Sequence, residues 1–283
     1  MPGTLFVVAT PIGNLEDLTM RALRTLREVD LIAAEDTRRT SKLLAHYEIQ
    51  KPLVSLHEHN ETRETVRLVS KLESGLNIAL VSDAGTPAIA DPGYHLVAQA
   101  REAGIAVVPI PGANAAIAAL SAAGLPADSF LFLGFPPSSG VARERWLERL
   151  AREASAVVFY ESPHRIRRTL GDLSEYLVER TILLGRELTK VNEELVLWDK
   201  HRPVREQGEF VVVVGPTQPS VAEDPEPSVL ALFVGQITEK LEFDEPEALE
   251  LAAARFRVGL PKAVKLLKKG RILLMRSKDN QDA

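Results

Sequence analysis

The chain has 283 residues, 45% apolar and 26% charged, with a formal charge of −5, the makeup of a soluble globular protein long enough for two domains and an appendage. It contains no cysteine, which excludes disulfides, thiolate metal sites, iron–sulfur clusters and a cysteine nucleophile, and agrees with a reducing cytoplasm. No cationic stretch precedes the first apolar run and no run approaches the length of a membrane span, so a cytoplasmic protein without membrane contact is expected.

Short β-like runs at Leu5–Ala9, Leu31–Ala34, Leu53–Leu56, Ile78–Val81 and Ile105–Ile110 alternate with helical patterns, which reads as βα winding around a parallel-rich sheet. In the first helix Leu18, Ala22 and Leu26 form one stripe, while Arg21, Arg24 and Arg27 fall outside it and make the outer face cationic. The helix from Glu61 to Ser74 is expected to be capped by Asn60, to carry Val66, Val69 and Leu72 inward, and to stop at Gly75. After the Ile78–Val81 run comes a loop with two glycines and two prolines between Gly85 and Gly93, bracketed by Asp83 and Asp91. That is too many special backbone positions for a mere connection, and in an open α/β sheet a strand-to-helix loop at the carboxyl edge is where a ligand sits. A helical pattern from Tyr94 to Ala103 then stops at Gly104, and Pro109-Ile110-Pro111-Gly112 ends the fifth run. Ala113 to Ala123 is a small-residue helix that permits close approach of a neighbour, and the first domain ends at 111.

The second half changes texture. Runs at Phe130–Phe135, Ala156–Tyr160, Thr181–Gly185, Leu195–Trp198 and Phe210–Val214 are interrupted by two long helical segments, Val141–Ala151 and His164–Leu177. The last three runs follow one another too closely for helical crossovers, so antiparallel pairing and a mixed sheet are expected. Residues 218–227, with three prolines and three acids, read as a linker. Beyond it charge is segregated: residues 223–250 hold nine acids against Lys240, and residues 251–278 hold nine basic side chains and no acid. The tail either meets a polyanion or is a lysine-rich solvated helix. The expected fold class is α/β: a parallel-rich N-terminal domain at 1–111, a mixed-sheet domain at 112–217 with a cofactor cleft between them, and a small helical basic domain at 228–283.

The first loop, Ala9-Thr10-Pro11-Ile12-Gly13-Asn14, is not a G-x-G-x-x-G fingerprint, and no Walker lysine motif exists. Nothing is built to cradle a pyrophosphate, which points to a cofactor whose charge is not a phosphate. Ala34-Glu35-Asp36-Thr37-Arg38-Arg39 is either a functional cluster at a sheet edge or an N-cap by Asp36 or Thr37 with surface arginines. His57 and His59 would share one strand face, as a hydrogen-bonding or RNA-facing edge or as a metal pair; without a third ligand no metal is expected. Glu161 in Tyr160-Glu161-Ser162-Pro163-His164-Arg165 either orients His164 or Arg165 or caps the next helix, and Gly185-Arg186-Glu187-Leu188-Thr189-Lys190 repeats the arrangement. Polar clusters at strand ends of two domains have the geometry of a cleft.

In order along the chain, Ala9-Thr10-Pro11-Ile12-Gly13-Asn14-Leu15, Ala34-Glu35-Asp36-Thr37-Arg38, Ser82-Asp83-Ala84-Gly85-Thr86-Pro87 with Asp91-Pro92-Gly93, Pro111-Gly112-Ala113-Asn114, Phe132-Leu133-Gly134-Phe135, Phe159 to Arg165 and Arg186 to Lys190 resemble the ribosomal RNA branch of the tetrapyrrole methylase superfamily. The superfamily's porphyrin enzymes usually carry a glycine-rich first loop and a Gly-Asp-Pro block, where this chain has Thr-Pro-Ile-Gly-Asn and Gly85-Thr86-Pro87. The resemblance implies methyl transfer from S-adenosylmethionine to the ribose 2′-hydroxyl of a cytidine in the decoding region of 16S rRNA, within the small ribosomal subunit, by a homodimer. The alternatives are a precorrin-type C-methyltransferase of the same fold and a non-catalytic RNA-binding module.

Carried over by motif, Gly85, Thr86, Pro87 and Ile89 lie along the cofactor, Ala115 and Ala116 add to it, and Pro11, Phe135 and Leu188 are placed beside them. The expected catalytic set is Asp36, Glu161 and Lys190, with Asp36 or Glu161 as proton acceptor, since the attacked hydroxyl must lose its proton. Arg38, Arg39, His59, Arg165 and Arg186 are expected on the RNA, and Lys190 also reaches a phosphate.

Overall fold

The computed structural model describes residues 1–177, 180–201, 203–217, 225–241, 243–256 and 258–279. Contacts group Met1–Pro216 into one compact unit and Thr217–Ala283 into another. The first unit holds two five-stranded sheets.

In the N-terminal sheet β1 (Thr4–Val8), β2 (Leu31–Ala34), β3 (Leu53–Ser55), β4 (Ile78–Val81) and β5 (Ala106–Ile110) run parallel in the order β3-β2-β4-β1-β5. β2 and β4 are buried at every position, as expected of uncharged apolar runs covered on both faces. Pro109 sits in edge strand β5, where its missing N–H costs no ladder bond. Helices α1 (Met20–Glu28), α2 (Thr37–His46), α3 (Glu61–Glu73) and α4 (Tyr94–Glu102) make the crossovers. Leu26, Ile32, Val8 and Leu44 belong to the core on one face, and Leu5, Leu68, Leu72, Leu80 and Leu96 to that on the other. The chain leaves β2 toward β3 at one edge and leaves β4 toward β5 at the other. A crevice therefore opens between the carboxyl ends of β2 and β4, the switch point where ligands bind in such sheets.

The second sheet, in the order β6-β7-β10-β8-β9, is mixed. β6 (Phe130–Phe132) runs parallel to β7 (Ala156–Glu161), while β8 (Ile182–Arg186), β9 (Glu194–Leu197) and β10 (Phe210–Val214) pair antiparallel. Fully buried β10 is its centre. One face carries α6 (Gly140–Arg152) and α7 (Ile166–Tyr176) on a core of Leu150, Phe159, Ile166 and Val212. The other carries the short α5 (Ala115–Ser121), whose Ala116, Ala119 and Leu120 pack on Val158, Leu183 and Val213.

Three local expectations are corrected. Val66 is exposed, and Leu68 and Leu72 take the inward face of α3. The Asn60 side chain does not cap α3; it accepts from the His57 N–H at 2.9 Å and donates to the Ser55 carbonyl at 3.0 Å, fixing the turn that follows β3. His57 and His59 lie in that turn rather than on a strand, with ring centroids 5.9 Å apart. Among the described residues no group of three or more His, Asp or Glu side chains is placed to hold a metal ion, and no helix is long and apolar enough to cross a membrane.

In the second unit α8 (Pro227–Leu241), α9 (Glu245–Arg255) and α10 (Leu260–Asp279) pack around Leu230, Val234, Ala248, Ala252 and Leu267. Asp244 and Glu247 form a reciprocal capping box at the start of α9. Of the expected linker, 218–224 lies outside the described residues, and Pro227 already opens α8. Arg271 grips Glu245 through two hydrogen bonds, 3.1 and 2.8 Å, and Arg255 stands 5.4 Å from the centre of the Phe233 ring, so part of the segregated charge is answered inside the unit.

Glu61 shows how helix positions depend on the loops. Its buried carboxylate accepts the N–H groups of Gly93 at 2.9 Å and His95 at 3.0 Å, closing the start of α4. Glu61→Ala is expected to lower stability in urea unfolding by about 1–2 kcal/mol. Glu61→Gln, which keeps an acceptor oxygen, is expected to lose less.

Candidate active site

The loops after β1 and β4 are stapled by paired backbone hydrogen bonds, Thr10 N–H to the Gly85 carbonyl at 2.9 Å and Gly85 N–H to the Thr10 carbonyl at 3.0 Å. The Thr10 hydroxyl adds a bond to the Ser82 carbonyl at 3.2 Å. Beyond the staple Gly85, Ala88, Ala90 and Gly93 all have positive φ, the two alanines at +63° and +61°. A left-handed alanine costs about 1 kcal/mol or more, and such strain gathers where a loop is shaped for a ligand.

Above this loop lies a cavity of about 480 Å³, large enough for a cofactor-sized molecule. Six of the nine residues expected along the cofactor line it: Gly85, Thr86, Ile89, Ala115, Phe135 and Leu188. Pro87 and Ala116 are buried behind the wall, and Pro11 lines a neighbouring cavity of about 320 Å³. Ile12, Arg39, Asp83, Ala84 and Glu209 border both cavities. The far wall comes from the second sheet through Tyr160, Glu161, Phe210 and Val211. The two halves also touch at Gly13, where an added Cβ would lie 2.4 Å from Lys190 Cγ and 3.0 Å from the Leu188 carbonyl oxygen. Asn14 N–H donates to the Thr189 hydroxyl at 3.1 Å beside this contact.

Most of the expected catalytic and RNA-facing groups have other tasks. Asp36 caps α2, accepting from the Arg38 N–H at 2.8 Å, and hydrogen bonds from the Arg38 guanidinium hold its carboxyl down at about 2, which makes it a poor proton acceptor. The Glu161 side chain is shut away from solvent and accepts from Ser162 N–H at 2.7 Å, the Thr169 hydroxyl at 2.6 Å and the Arg165 guanidinium at 2.7 Å. It braces a loop, and Arg165 is engaged with it and with the Pro136 carbonyl at 3.0 Å. Arg186 is buried and donates to the carbonyls of Gln207 and Asn192, which removes it from an RNA-facing role. His59 stands in the turn after β3, outside both cavities. Lys190 lines the smaller cavity and bonds Glu187 at 2.8 Å and Glu209 at 3.0 Å. Burial alone would lower its pKa, but those two carboxylates outweigh burial and raise it, so it remains a cation. Arg38 and Arg39 are the exposed cations of the expected set, the latter 3.3 Å from Asp83.

No role was expected for Glu35, Asp83, Asp91 or Tyr160, all of which line the larger cavity. The signal was the pair of acids bracketing the loop. At the switch point Asp36 N–H donates to Asp83 at 3.0 Å and Asp83 N–H donates to Glu35 at 3.2 Å, so each strand end is tied to the carboxylate of the other. Burial, then the Asp83 charge, raises the Glu35 pKa against the backbone bond that lowers it. Burial, then the Glu35 and Asp83 charges, pushes Asp91 up to about 6. Burial raises Tyr160. The cavity thus joins apolar walls to an acidic floor, which disfavours a phosphate and favours a cation.

The family described as Tetrapyrrole (Corrin/Porphyrin) Methylases matches residues 4–199. Ribosomal RNA small subunit methyltransferase I of Haemophilus influenzae is 53% identical over 223 residues, covering 76% of this chain and 79% of that protein. The protein of the same name from Halalkalibacterium halodurans is 52% identical over 220 residues, covering 75% of each. The chain belongs to the tetrapyrrole methylase family, in its ribosomal RNA small subunit methyltransferase I group. The crystal structure of the methyltransferase CobJ superposes with a TM-score of 0.58 at 21% identity, covering 76% of this chain and 95% of CobJ. That of diphthine synthase gives 0.57 at 14%, covering 75% and 90%. Both share the tetrapyrrole methylase fold, and the chain is a methyltransferase of that family.

For this tetrapyrrole methylase the brace role of Glu161 has a measurable consequence. Glu161→Gln leaves the Arg165 charge without its counterion and is expected to cost about 3 kcal/mol of stability. Methyl-donor affinity of the folded variant, measured by calorimetry below its melting temperature, is expected to stay within the same order of magnitude.

Proposed function

We propose that the chain transfers a methyl group from S-adenosylmethionine to the ribose 2′-hydroxyl of a cytidine in the decoding region of 16S rRNA, acting in the cytoplasm as a homodimer on the small ribosomal subunit. The observation that carries the reading is the 480 Å³ cavity at the switch point, with apolar walls and an acidic floor, in a chain whose relatives are named for small-subunit ribosomal RNA.

The donor's chemistry fits these residues. Ile89, Phe135 and Leu188 offer apolar surface to a flat base, Ala115 keeps the wall free of side-chain bulk, and Glu35 and Asp83 at the switch point favour a positive sulfur over a phosphate. When bound, S-adenosylmethionine supplies an activated methyl group on a good leaving group. The protein then has to hold the acceptor oxygen in line with the methyl carbon and exclude water. The neighbouring cavity, edged by Arg39, Lys42 and Lys190, suits the phosphates of the acceptor nucleotide, whose ribose has to reach past the shared wall of Ile12 and Ala84 to the methyl group in the larger cavity. Arg38 and Arg39 form exposed pairs that hold little energy and exchange readily for phosphate.

Calorimetry with S-adenosylmethionine and mapping of 2′-O-methyl groups on rRNA from cells lacking the chain test this reading; an unchanged methylation map would end it. Light scattering tests the dimer. Arg38→Ala combined with Arg39→Ala is expected to weaken RNA binding across sequences and to reduce the slope of log affinity against log salt by about one per lost phosphate contact, with donor binding retained.

A further inference from the structure

We propose that Asp91 is the catalytic residue that takes the proton from the acceptor hydroxyl as the methyl group is transferred. This deepens the reading above and rests on it.

The argument begins with what the other acids at the larger cavity are doing. Glu35, Asp83, Asp91, Glu161 and Glu209 line it. Glu161 is held by Arg165, Thr169 and Ser162. Glu209 is paired with Lys190 at 3.0 Å. Asp83 is paired with Arg39 at 3.3 Å and accepts the Asp36 N–H. Glu35 accepts the Asp83 N–H at 3.2 Å and feels the Arg39 charge. Asp91 has the Ser82 hydroxyl as a hydrogen-bond partner and no cation paired with it among the described residues. A carboxylate committed to a cation or, like Glu35, to a backbone N–H is the weaker base, and one in a partly dry cavity with neither is the stronger.

Its placement is also rigid. Asp91 follows Ala90, which is left-handed, and precedes Pro92 and the positive-φ Gly93. The buried Glu61 carboxylate clamps the N–H groups of Gly93 and His95 from behind. A base held by such a loop needs little rearrangement when the acceptor arrives. The groups that act on it are Glu35 at the end of β2, Asp83 at the end of β4 and Tyr160 on β7, with Arg39 of α2 on the same cavity wall. Burial and the two carboxylates put its titration at about 6, close to the pH at which the reaction would run.

The step balances as follows. The hydroxyl O–H bond breaks and its proton passes to a carboxylate oxygen of Asp91. The electron pair stays on the 2′ oxygen, which forms the new bond to the methyl carbon, while the carbon–sulfur pair leaves with sulfur and neutralises its positive charge. Asp91 returns the proton to water as the products leave.

The experiment compares wild type, Asp91→Asn and Asp91→Glu with small ribosomal subunits lacking the modification. It reads turnover at saturating donor across pH, donor affinity by calorimetry, and the Asp91 carboxyl by ¹³C NMR titration. A raised carboxyl opposes folding as pH rises from 3.8 to about 6, so Asp91→Asn is expected to melt no lower than wild type at pH 7. Expected are a fall in turnover of about 10²–10⁴-fold for Asp91→Asn, little change in its donor affinity, partial rescue in Asp91→Glu, a wild-type rate that rises with pH through about 6, and an NMR titration near the same value. Turnover by Asp91→Asn within about tenfold of wild type, below the range of general-base effects, would overturn the assignment. So would a loss of donor affinity that accounts for the whole effect. Wild-type protein that binds the donor yet methylates no 2′-hydroxyl would overturn the reading on which the assignment rests, and the assignment with it.

Discussion

Two backbone hydrogen bonds between Thr10 and Gly85, 2.9 and 3.0 Å long, hold the site together. β1 and β4 are neighbours in a parallel sheet, so their following loops would otherwise diverge into separate crossovers. The antiparallel bridge pins the loops against each other just past the strand ends, and Gly85 takes φ +82° to make it possible. Ile12 and Ala84, on either side of the staple, then become shared walls of the two cavities. Two cavities that share walls bring whatever occupies them within reach of one another, which is what a direct group transfer requires.

The second constraint is the arginine network under the second sheet. Arg180 donates to the carbonyls of Gly215, Leu150, Glu153 and Ser155, between 2.7 and 3.0 Å. Arg143 is buried and joins Asp172, Thr169 and the Pro137 carbonyl. Arg165 and Arg186 do the same beside the cavity. A guanidinium carries several N–H donors in a rigid fork and can satisfy the carbonyls of a whole loop. Arg180 ties the end of the second sheet away from the cavity, Arg165 braces the cavity end of β7, and the loss of any of these arginines would leave buried polar groups without partners.

Electrostatics divide the site into regions of opposite character. The floor at the ends of β2 and β4 is acidic, while Arg38, Arg39 and Lys42 form an exposed cationic rim. Such a division sorts cationic from anionic ligands by charge before any specific contact is made. In the second unit the same segregation is used internally, since Arg271 of α10 reaches back to Glu245 of α9 and lowers the glutamate's pKa.

From the amino-acid order alone came the parallel first sheet, because Leu31–Ala34 and Ile78–Val81 are too apolar to face water on either side. The mixed second sheet was legible in the spacing of its last three strands, and the special backbone of the loop after β4 in its crowd of glycines and prolines. Six positions that line the larger cavity were legible as well, since small or apolar residues at strand ends have few other uses. The roles of the charged residues were not. Asp36 and Asp91 are both aspartates in loops that follow a strand, yet one has an arginine two residues on and sits at about 2, while the other is partly buried beside two carboxylates and sits at about 6. Glu35 and Asp83 come near Asp91 through strand pairing and the turn of a loop, and Arg186 turns inward because carbonyls of distant loops await it. The periodicity of a segment records which face is buried; the charges that surround a carboxylate come from elsewhere in the chain, and only the tertiary structure brings them together.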